Sequence, residues 1–193
     1  LSRIPIITSS IQINYVEVWV TNRNNAVGNS RNIMGFMDLG ENESNAYRPW
    51  VLGNSNQFPD NSHTNLYSDF IQGQNFCNPT DSRLELGTDY ECLSNARKLN
   101  ANEFKFHPQL GYISLNQRLS NDEVLGVAFQ YTYRGKVYQV GEFANGGVSG
   151  TSVVQNQTNQ AQVVNNNSLV VKLLKSNITD VRQPIWDLMM KNI

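Results

Sequence analysis

The sequence predicts a mainly β fold, sandwich-like and mostly antiparallel, with short helical inserts. The evidence is a hairpin signal in the second half of the chain and a second alternating run near its start. Residues 124–133 alternate apolar with small or polar side chains, and residues 136–143 carry β-branched and aromatic ones. Between these runs, Arg134-Gly135 is a two-residue link that suits a tight turn, because glycine readily adopts positive φ.

The turn also fixes how the two strands of this hairpin pair. A slip of one residue would move every side chain to the opposite face, so the alternation selects one register. The residues expected to lie opposite each other are Tyr133 and Lys136, Tyr131 and Tyr138, and Phe129 and Val140. One face then carries Leu125, Val127, Phe129, Tyr131, Tyr133, Tyr138 and Val140, and the other carries Gly126, Ala128, Gln130, Thr132, Val137 and Gln139.

Three further runs are predicted to be strands. Residues 11–21 are partly apolar on both faces, which is typical of a strand inside a sheet. The turn-rich loop 22–31 leads to a strand at 32–39, so these two strands are expected to form a hairpin or a neighbouring pair. Residues 169–175 favour a strand because of their length and paired valines.

The helical inserts are predicted from a change in the hydrophobic period. In residues 61–72 and 89–99 the apolar side chains recur at helical spacing. Pro184 suits the first turn of a closing helix. The apolar residues concerned are Leu66, Tyr67, Phe70 and Ile71 in the first segment, Tyr90, Leu93, Ala96 and Leu99 in the second, and Ile185, Leu188 and Met189 in the third.

Length and composition predict a single domain, 1–193, with a sizeable core. Of the 193 residues, 39% are hydrophobic and only 16% are charged, against about 25% charged in an average domain. Because the net charge is −1, no nucleic-acid partner is expected. No apolar run is long enough for a membrane helix. The strong strands are too few to close a sheet, so this segment is not expected to span a membrane directly.

The two cysteines, Cys77 and Cys92, leave two interpretations open. A disulfide between them would close a moderate loop and stabilise the fold by about 3 kcal/mol. The other interpretation is two unrelated thiols. A metal site is not indicated, because there is no CxxC spacing and neither histidine stands at ligand spacing from a cysteine.

No constellation of residues indicates catalysis, so no catalytic, metal-binding or cofactor-binding residue is predicted. Asp122-Glu123 is an adjacent acid pair, but Ser120 and Glu123 match a capping-box pattern, which favours a turn leading into the hairpin. His107 precedes Pro108 and is therefore expected in extended backbone. A structural role is favoured for this histidine, because no nucleophile and acid can be assigned to accompany it.

The sequence contains two weaker candidate sites, one for a metal ion and one for a sugar. His63 with Asp60 and Asp69 has a loose metal-ligand spacing, which the polarity of a helix surface explains equally well. Trp19 and Trp50 are the candidates for stacking on a sugar, although core packing is the better interpretation for both.

Residues 146–168 form a long stretch without a charged residue. Long connections between ordered segments are usually functional or disordered. This loop is therefore the first surface on which we expect a partner.

Four blocks of the sequence carry a resemblance to a known family. The two long ones are VEVWVTNRNNAVGNSRNIMGFMDLGE at 16–41 and DYECLSNARKLNANEFKFHPQLGYISLNQRLSNDEVLGVAFQYTYRGKVYQVGEF at 89–143. The two short ones are SLVVKLLKSN at 168–177 and PIWDLMMKNI at 184–193. In this order they resemble the SprA/Sov family, the giant outer-membrane translocons of the type IX secretion system of gliding and pathogenic Bacteroidota.

The resemblance implies a non-catalytic structural role in type IX protein secretion and gliding motility. Proteins of this family form a very large β-barrel that passes folded cargo across the outer membrane, with soluble domains inserted between barrel strands. A chain of this length would be one such domain, a fragment of a much larger protein at the outer membrane or cell surface. The implied partners are the rest of the barrel, accessory secretion subunits and secreted cargo, and no cofactor is implied. The alternative, from another class, is a stand-alone β-sandwich that binds carbohydrate at the cell surface.

Overall fold

The computed structural model describes residues 10–23, 30–39, 77, 84–144, 152–154, 163–165, 168–178 and 180–189. In these residues the backbone forms ten strands and one 3-10 helix. The strands are β1 (Ile11–Val20), β2 (Ser30–Phe36), β3 (Tyr90–Lys98), β4 (Phe104–His107), β5 (Tyr112–Leu115), β6 (Leu125–Tyr133), β7 (Lys136–Val140), β8 (Ser152–Val154), β9 (Val163–Asn165) and β10 (Leu169–Lys175), and the 3-10 helix spans Pro184–Leu188.

Six of the strands form one sheet, and five of these six close it into a ring, with β7 paired to β6. Around the ring the order is β1, β3, β2, β10 and β6, and β6 pairs again with β1. Neighbouring strands are antiparallel except for β2 and β10, which are parallel. Opposite walls of the ring pack on a shared core, so the predicted mainly β, sandwich-like and mostly antiparallel class is confirmed.

The β6–β7 hairpin has the predicted turn and the predicted register. Arg134 and Gly135 adopt φ values of 48° and 77°, which is the conformation of a two-residue turn matched to the twist of its strands. All three predicted opposite pairs are present, from Tyr133–Lys136 at the turn to Phe129–Val140. The rings of Tyr131 and Tyr138 stack at 5.1 Å between centroids.

The inside of the closed sheet is filled by side chains from all five ring strands. Trp19, Ile33 and Leu173 are each 1% exposed or less, and Ile185 of the 3-10 helix packs among them. Small residues make this possible, because a Cβ on Gly126 would lie 2.8 Å from Cγ2 of Val171. The face of β6 that carries Gly126 and Ala128 therefore points into the ring.

The apolar face of β6 points outward and is covered by a second layer. Val127 and Leu125 pack with Val18 and Val20 of β1 against the β4–β5 hairpin. Both faces of β6 are thus buried along its first half, which explains why this strand is apolar on one side and small, rather than charged, on the other.

The helix predicted over residues 89–99 is wrong, because this segment is strand β3. Part of the spacing that imitates a helix comes from a β-bulge: Leu93 pairs with Ile33, but Ala96 pairs with Arg31, so β3 has one residue more than β2 between these pairs. Asn95 lies in the bulge with a φ of 54°. As a result Leu93 and Ala96 both contribute to the core of the ring although they stand three apart.

Three other expectations about the sheet are also wrong. β1 and β2 are not neighbours, because β3 lies between them. The strands are not too few to close a sheet, because β3 and β10 complete the ring. The closing helix is a short 3-10 helix in which Ile185 is buried but Leu188 is 50% exposed, so these two residues do not share one buried face.

Cys77 and Cys92 form a disulfide, with 5.7 Å between their Cα atoms. Cys92 lies on β3, next to an apolar cluster on the outside of the sheet. The bond therefore attaches Cys77, which precedes β3 in the chain, to the wall of the ring.

The polar stretch 146–168 contains a short antiparallel pair, β8 with β9. This stretch, which the sequence indicates is a long loop, therefore contains some regular structure. The predicted helix at 61–72, the His63 group and Trp50 lie outside the described residues.

Candidate functional site

A cleft of about 570 Å³ lies between the β4–β5 hairpin and the outside of the closed sheet. Ile113 and Tyr112 of the hairpin form one wall, and Phe129 of β6 belongs to the sheet opposite. Lys175 of β10 and Leu188 of the 3-10 helix also line it. Clefts of roughly 300–1,000 Å³ with mainly apolar walls are typical of binding sites, so this is the candidate functional site.

One end of the hairpin is fixed by Glu103. Its carboxylate accepts two hydrogen bonds from Arg97, at 2.8 and 2.9 Å, and one from the main-chain N–H of Asn100 at 2.8 Å. The Asn100 N–H contributes most, and Arg97 adds to it, in holding the pKa of this carboxyl below its usual range. The connection between β3 and β4 is thereby fastened to the sheet.

The other end of the hairpin is fixed at its turn. The N–H of Ile13 in β1 donates to the carbonyl oxygen of Pro108 at 3.3 Å, which ties the turn to the sheet. His107 is extended, as predicted, and its ring stacks on Tyr112 with 5.5 Å between centroids. Its Nδ1 accepts the N–H of Leu110 at 3.3 Å. His107 therefore stabilises the turn at this end of the β4–β5 hairpin.

Two lysines of β10 line the same cleft. The ammonium of Lys172 donates to the carbonyl oxygen of Met37. The ammonium of Lys175 donates to the carbonyl oxygens of Asn121, at 2.9 Å, and Ser176, at 3.2 Å, and to that of Glu123. Burial lowers the pKa of Lys175, and the nearby carboxylates only partly offset that effect.

The rim of the cleft carries exposed apolar side chains. Tyr112 is 36% exposed and Leu188 is 50% exposed, and both line the cleft. Apolar side chains grouped around a concave surface mark an interaction site more often than single exposed ones do. The cleft is thus open to solvent and apolar at its entrance.

The acid pair Asp122-Glu123 is part of a turn, as favoured from sequence. The carboxylate of Glu123 accepts the N–H of Ser120 at 2.6 Å, and the N–H of Glu123 donates to the carbonyl of Ser120 at 3.1 Å. Arg23 forms ion pairs with both acids. The turn precedes β6 in the chain, and the ion pairs of Arg23 attach it to the end of β1.

Trp19 lies inside the ring and is 1% exposed. It is a core residue, so its indole group is not accessible to a sugar. Beside it on β1, the fully buried carboxylate of Glu17 forms an ion pair with Lys98 and accepts the N–H of Ala144 at 2.9 Å. This pairing compensates a charge that would otherwise be costly to bury.

Sequence reasoning missed the cleft because it did not resolve the β4–β5 hairpin. The signal was present: Phe104 and Phe106 alternate with polar residues, as do Ile113 and Leu115, and Gly111 lies between the runs. Gly111 adopts a φ of 67° in the turn. The contribution of β10 to the cleft could not be read from sequence, because it depends on the order of strands in the ring.

No protein-family model matches the sequence, and no curated protein matches it either. Among the residues that the structure describes, no helix has the length and apolar character needed to cross a membrane. The same residues contain no group of three or more His, Cys, Asp or Glu side chains placed to hold a metal ion.

Proposed function

We propose that this chain is a non-catalytic structural domain of a giant outer-membrane translocon, and that it serves type IX protein secretion and gliding motility. In this role the domain caps or lines the secretion pore, or contacts accessory subunits or cargo. The rest of the translocon barrel is its covalent context. Its location is the outer membrane or cell surface.

The observation that carries the proposal is where the four resembling blocks fall in the fold. The block 16–41 contains the second half of β1 and all of β2, and the block 89–143 contains β3 to β7. The blocks 168–177 and 184–193 contain β10 and the 3-10 helix. The resemblance therefore follows the elements that build the closed sheet, as expected if the same fold underlies it.

Two further features support a structural role outside the cytoplasm. The Cys77–Cys92 disulfide is typical of proteins that mature in an oxidising compartment, such as the periplasm. The cleft, with Tyr112 and Leu188 exposed at its rim, offers an apolar surface supported by the closed sheet. Such a surface suits contact with another chain or with a ligand.

The test uses the full-length protein in its own bacterium. Replacing residues 146–167 with a glycine–serine linker is expected to leave the translocon at normal abundance but to reduce the amount of cargo in the medium, measured by immunoblot. A matched strain with the same linker inserted after Gly135, in the exposed β6–β7 turn, serves as control. Normal secretion by the replacement strain would reject the role of this loop.

A second observation tests the context directly. The native gene is expected to encode alternating barrel strands on either side of this segment. A gene that encoded only these 193 residues would overturn the proposal. The carbohydrate-binding alternative has no such requirement, but one of its two aromatic candidates, Trp19, is buried.

A further inference from the structure

We propose that the cleft between the β4–β5 hairpin and the closed sheet binds one linear long-chain carboxylate, with its alkyl chain along the apolar walls and its carboxylate at Lys175. This inference does not rest on the proposed function. It rests on the size, lining and charge of the cleft.

The cleft has the dimensions and the walls of a site for an alkyl chain. Its volume of about 570 Å³ lies within the range of small-molecule sites. The walls are strand faces that carry Ile113, Leu115, Val127 and Leu174. An alkyl chain would remove its own apolar surface and theirs from water, which provides a favourable and non-directional contribution to binding.

The charge of the cleft selects an anionic head group. Lys172 and Lys175 line it, and none of its described lining residues is acidic. Burial lowers the pKa of Lys175 more than Glu123 and Asp122 raise it. The ammonium is held by carbonyl oxygens, so an arriving carboxylate would add a charged partner to it.

A carboxylate has a place to bind at this ammonium. Of the carbonyl contacts of Lys175, the one to Ser176 is the longest, at 3.2 Å. A carboxylate oxygen would replace that carbonyl with a hydrogen bond in which donor and acceptor are both ionised, which adds the attraction of opposite charges to the hydrogen bond. The carbonyls of Asn121 and Glu123 would keep the ammonium in position.

The binding test uses the 193-residue chain and displacement of a fluorescent polyene fatty acid. Palmitate, kept below its aggregation concentration, is expected to displace the probe at one site per chain. Hexadecanol, which has the same chain length but no charge, is expected to bind at least about tenfold more weakly, a difference of about 1.4 kcal/mol. No saturable binding of the probe, or equal affinity for palmitate and hexadecanol, would overturn the proposal.

Three variants locate the site. Lys175→Met is expected to weaken palmitate about tenfold and to leave hexadecanol unchanged. Ile113→Trp, which fills the cleft, is expected to abolish binding of both. Val137→Thr changes a residue that is 59% exposed and not part of the lining, so it is the matched control and should bind normally.

Circular dichroism and thermal unfolding establish that each variant is folded. If Ile113→Trp does not fold, Leu188→Trp narrows the entrance at an exposed position and is expected to weaken both ligands. Full binding by a folded Ile113→Trp or by Leu188→Trp would show that the ligand sits elsewhere and would overturn the assignment to this cleft.

Discussion

The β6–β7 hairpin and strand β3 belong to the same closed sheet, but they are specified over very different distances along the chain. β6 and β7 are joined by two residues, and each predicted opposite pair is in place. β3 pairs with β2 and β1, which lie far from it in sequence, and its bulge disguises its alternation. Local pattern thus predicts both the strands and their register where the partner is adjacent, whereas for β3 the bulge disguises the strand itself and the remote partners cannot be read from the pattern.

The largest expected effect comes from a residue on which the remote pairings depend. Trp19 fills the ring and stands opposite both Lys98 of β3 and Gly126 of β6. Trp19→Ala is expected to lower the free energy of unfolding by about 3–5 kcal/mol, because it leaves a large cavity in a closed core. Urea unfolding followed by circular dichroism measures this loss.

The control for that experiment is Val137→Ala on β7, whose side chain is 59% exposed. It is expected to change the free energy of unfolding by less than about 0.5 kcal/mol. A Trp19→Ala protein as stable as the control would mean that the ring interior does not hold β3 in place.

A smaller loss of stability is expected from a change that affects β3 but not the β6–β7 hairpin. Replacing Cys77 and Cys92 by serine removes the disulfide on β3 and is expected to cost about 2–4 kcal/mol. Hydrogen exchange should then show faster exchange in β3 than in the β6–β7 hairpin, relative to the parent protein. Reduction of the parent protein with dithiothreitol breaks the same bond without a substitution and is expected to give the same pattern of exchange. Equal acceleration in both regions would contradict the idea that the disulfide supports β3 in particular.

The same contrast explains how much could be predicted from sequence. The hairpin, its register, β1, β10 and the extended backbone at His107 follow from local patterns, because period and turn residues are short-range signals. The ring order and the bulge at Asn95 do not, because they depend on which strands meet across the sheet. The cleft could not be predicted for the same reason: its walls come from separate parts of the chain.

Gly126 in the ring and Gly135 in the hairpin turn differ in the space around them. A Cβ on Gly126 would lie 2.8 Å from Cγ2 of Val171, whereas a Cβ on Gly135 would meet nothing within 4 Å. Gly126→Ala is expected to cost about 1–3 kcal/mol through overpacking. Gly135→Ala is expected to cost about 1 kcal/mol, because φ is 77° there and alanine is strained in that region.

The losses of stability in Gly126→Ala and Gly135→Ala are expected to differ in whether a second substitution recovers them. Val171→Ala is expected to recover part of the loss in Gly126→Ala, since the two residues are in contact, and to recover none of the loss in Gly135→Ala. Double-mutant cycles by urea unfolding measure both couplings. Additive effects at Gly126 would show that its cost does not arise from contact across the ring.

The smallest expected effect lies where the hairpin meets the ring. Glu142 follows β7, and its buried carboxylate accepts the N–H of Val170 in β10 at 2.8 Å. Burial raises the pKa of Glu142, and the hydrogen bond from Val170 only partly opposes this. A raised pKa in the folded state means that the associated stability is present below the ordinary pKa of glutamate and is lost as the pH rises through the raised value.

Glu142→Gln therefore removes a cost at neutral pH while its amide oxygen still accepts the Val170 N–H. We expect this variant to equal or exceed the parent protein in stability near pH 7, by on the order of 1 kcal/mol or less, and to lose that advantage below about pH 4. Glu103→Gln is the matched control with the opposite sign, because hydrogen bonds from Asn100 and Arg97 lower the pKa of Glu103, so its contribution is lost as the pH falls. Urea unfolding from about pH 2.5 to about pH 8 distinguishes the two slopes. A Glu142→Gln protein that was destabilised at pH 7 but not at pH 4 would contradict this expectation, because it would mean that the junction between hairpin and ring depends on the charge of Glu142.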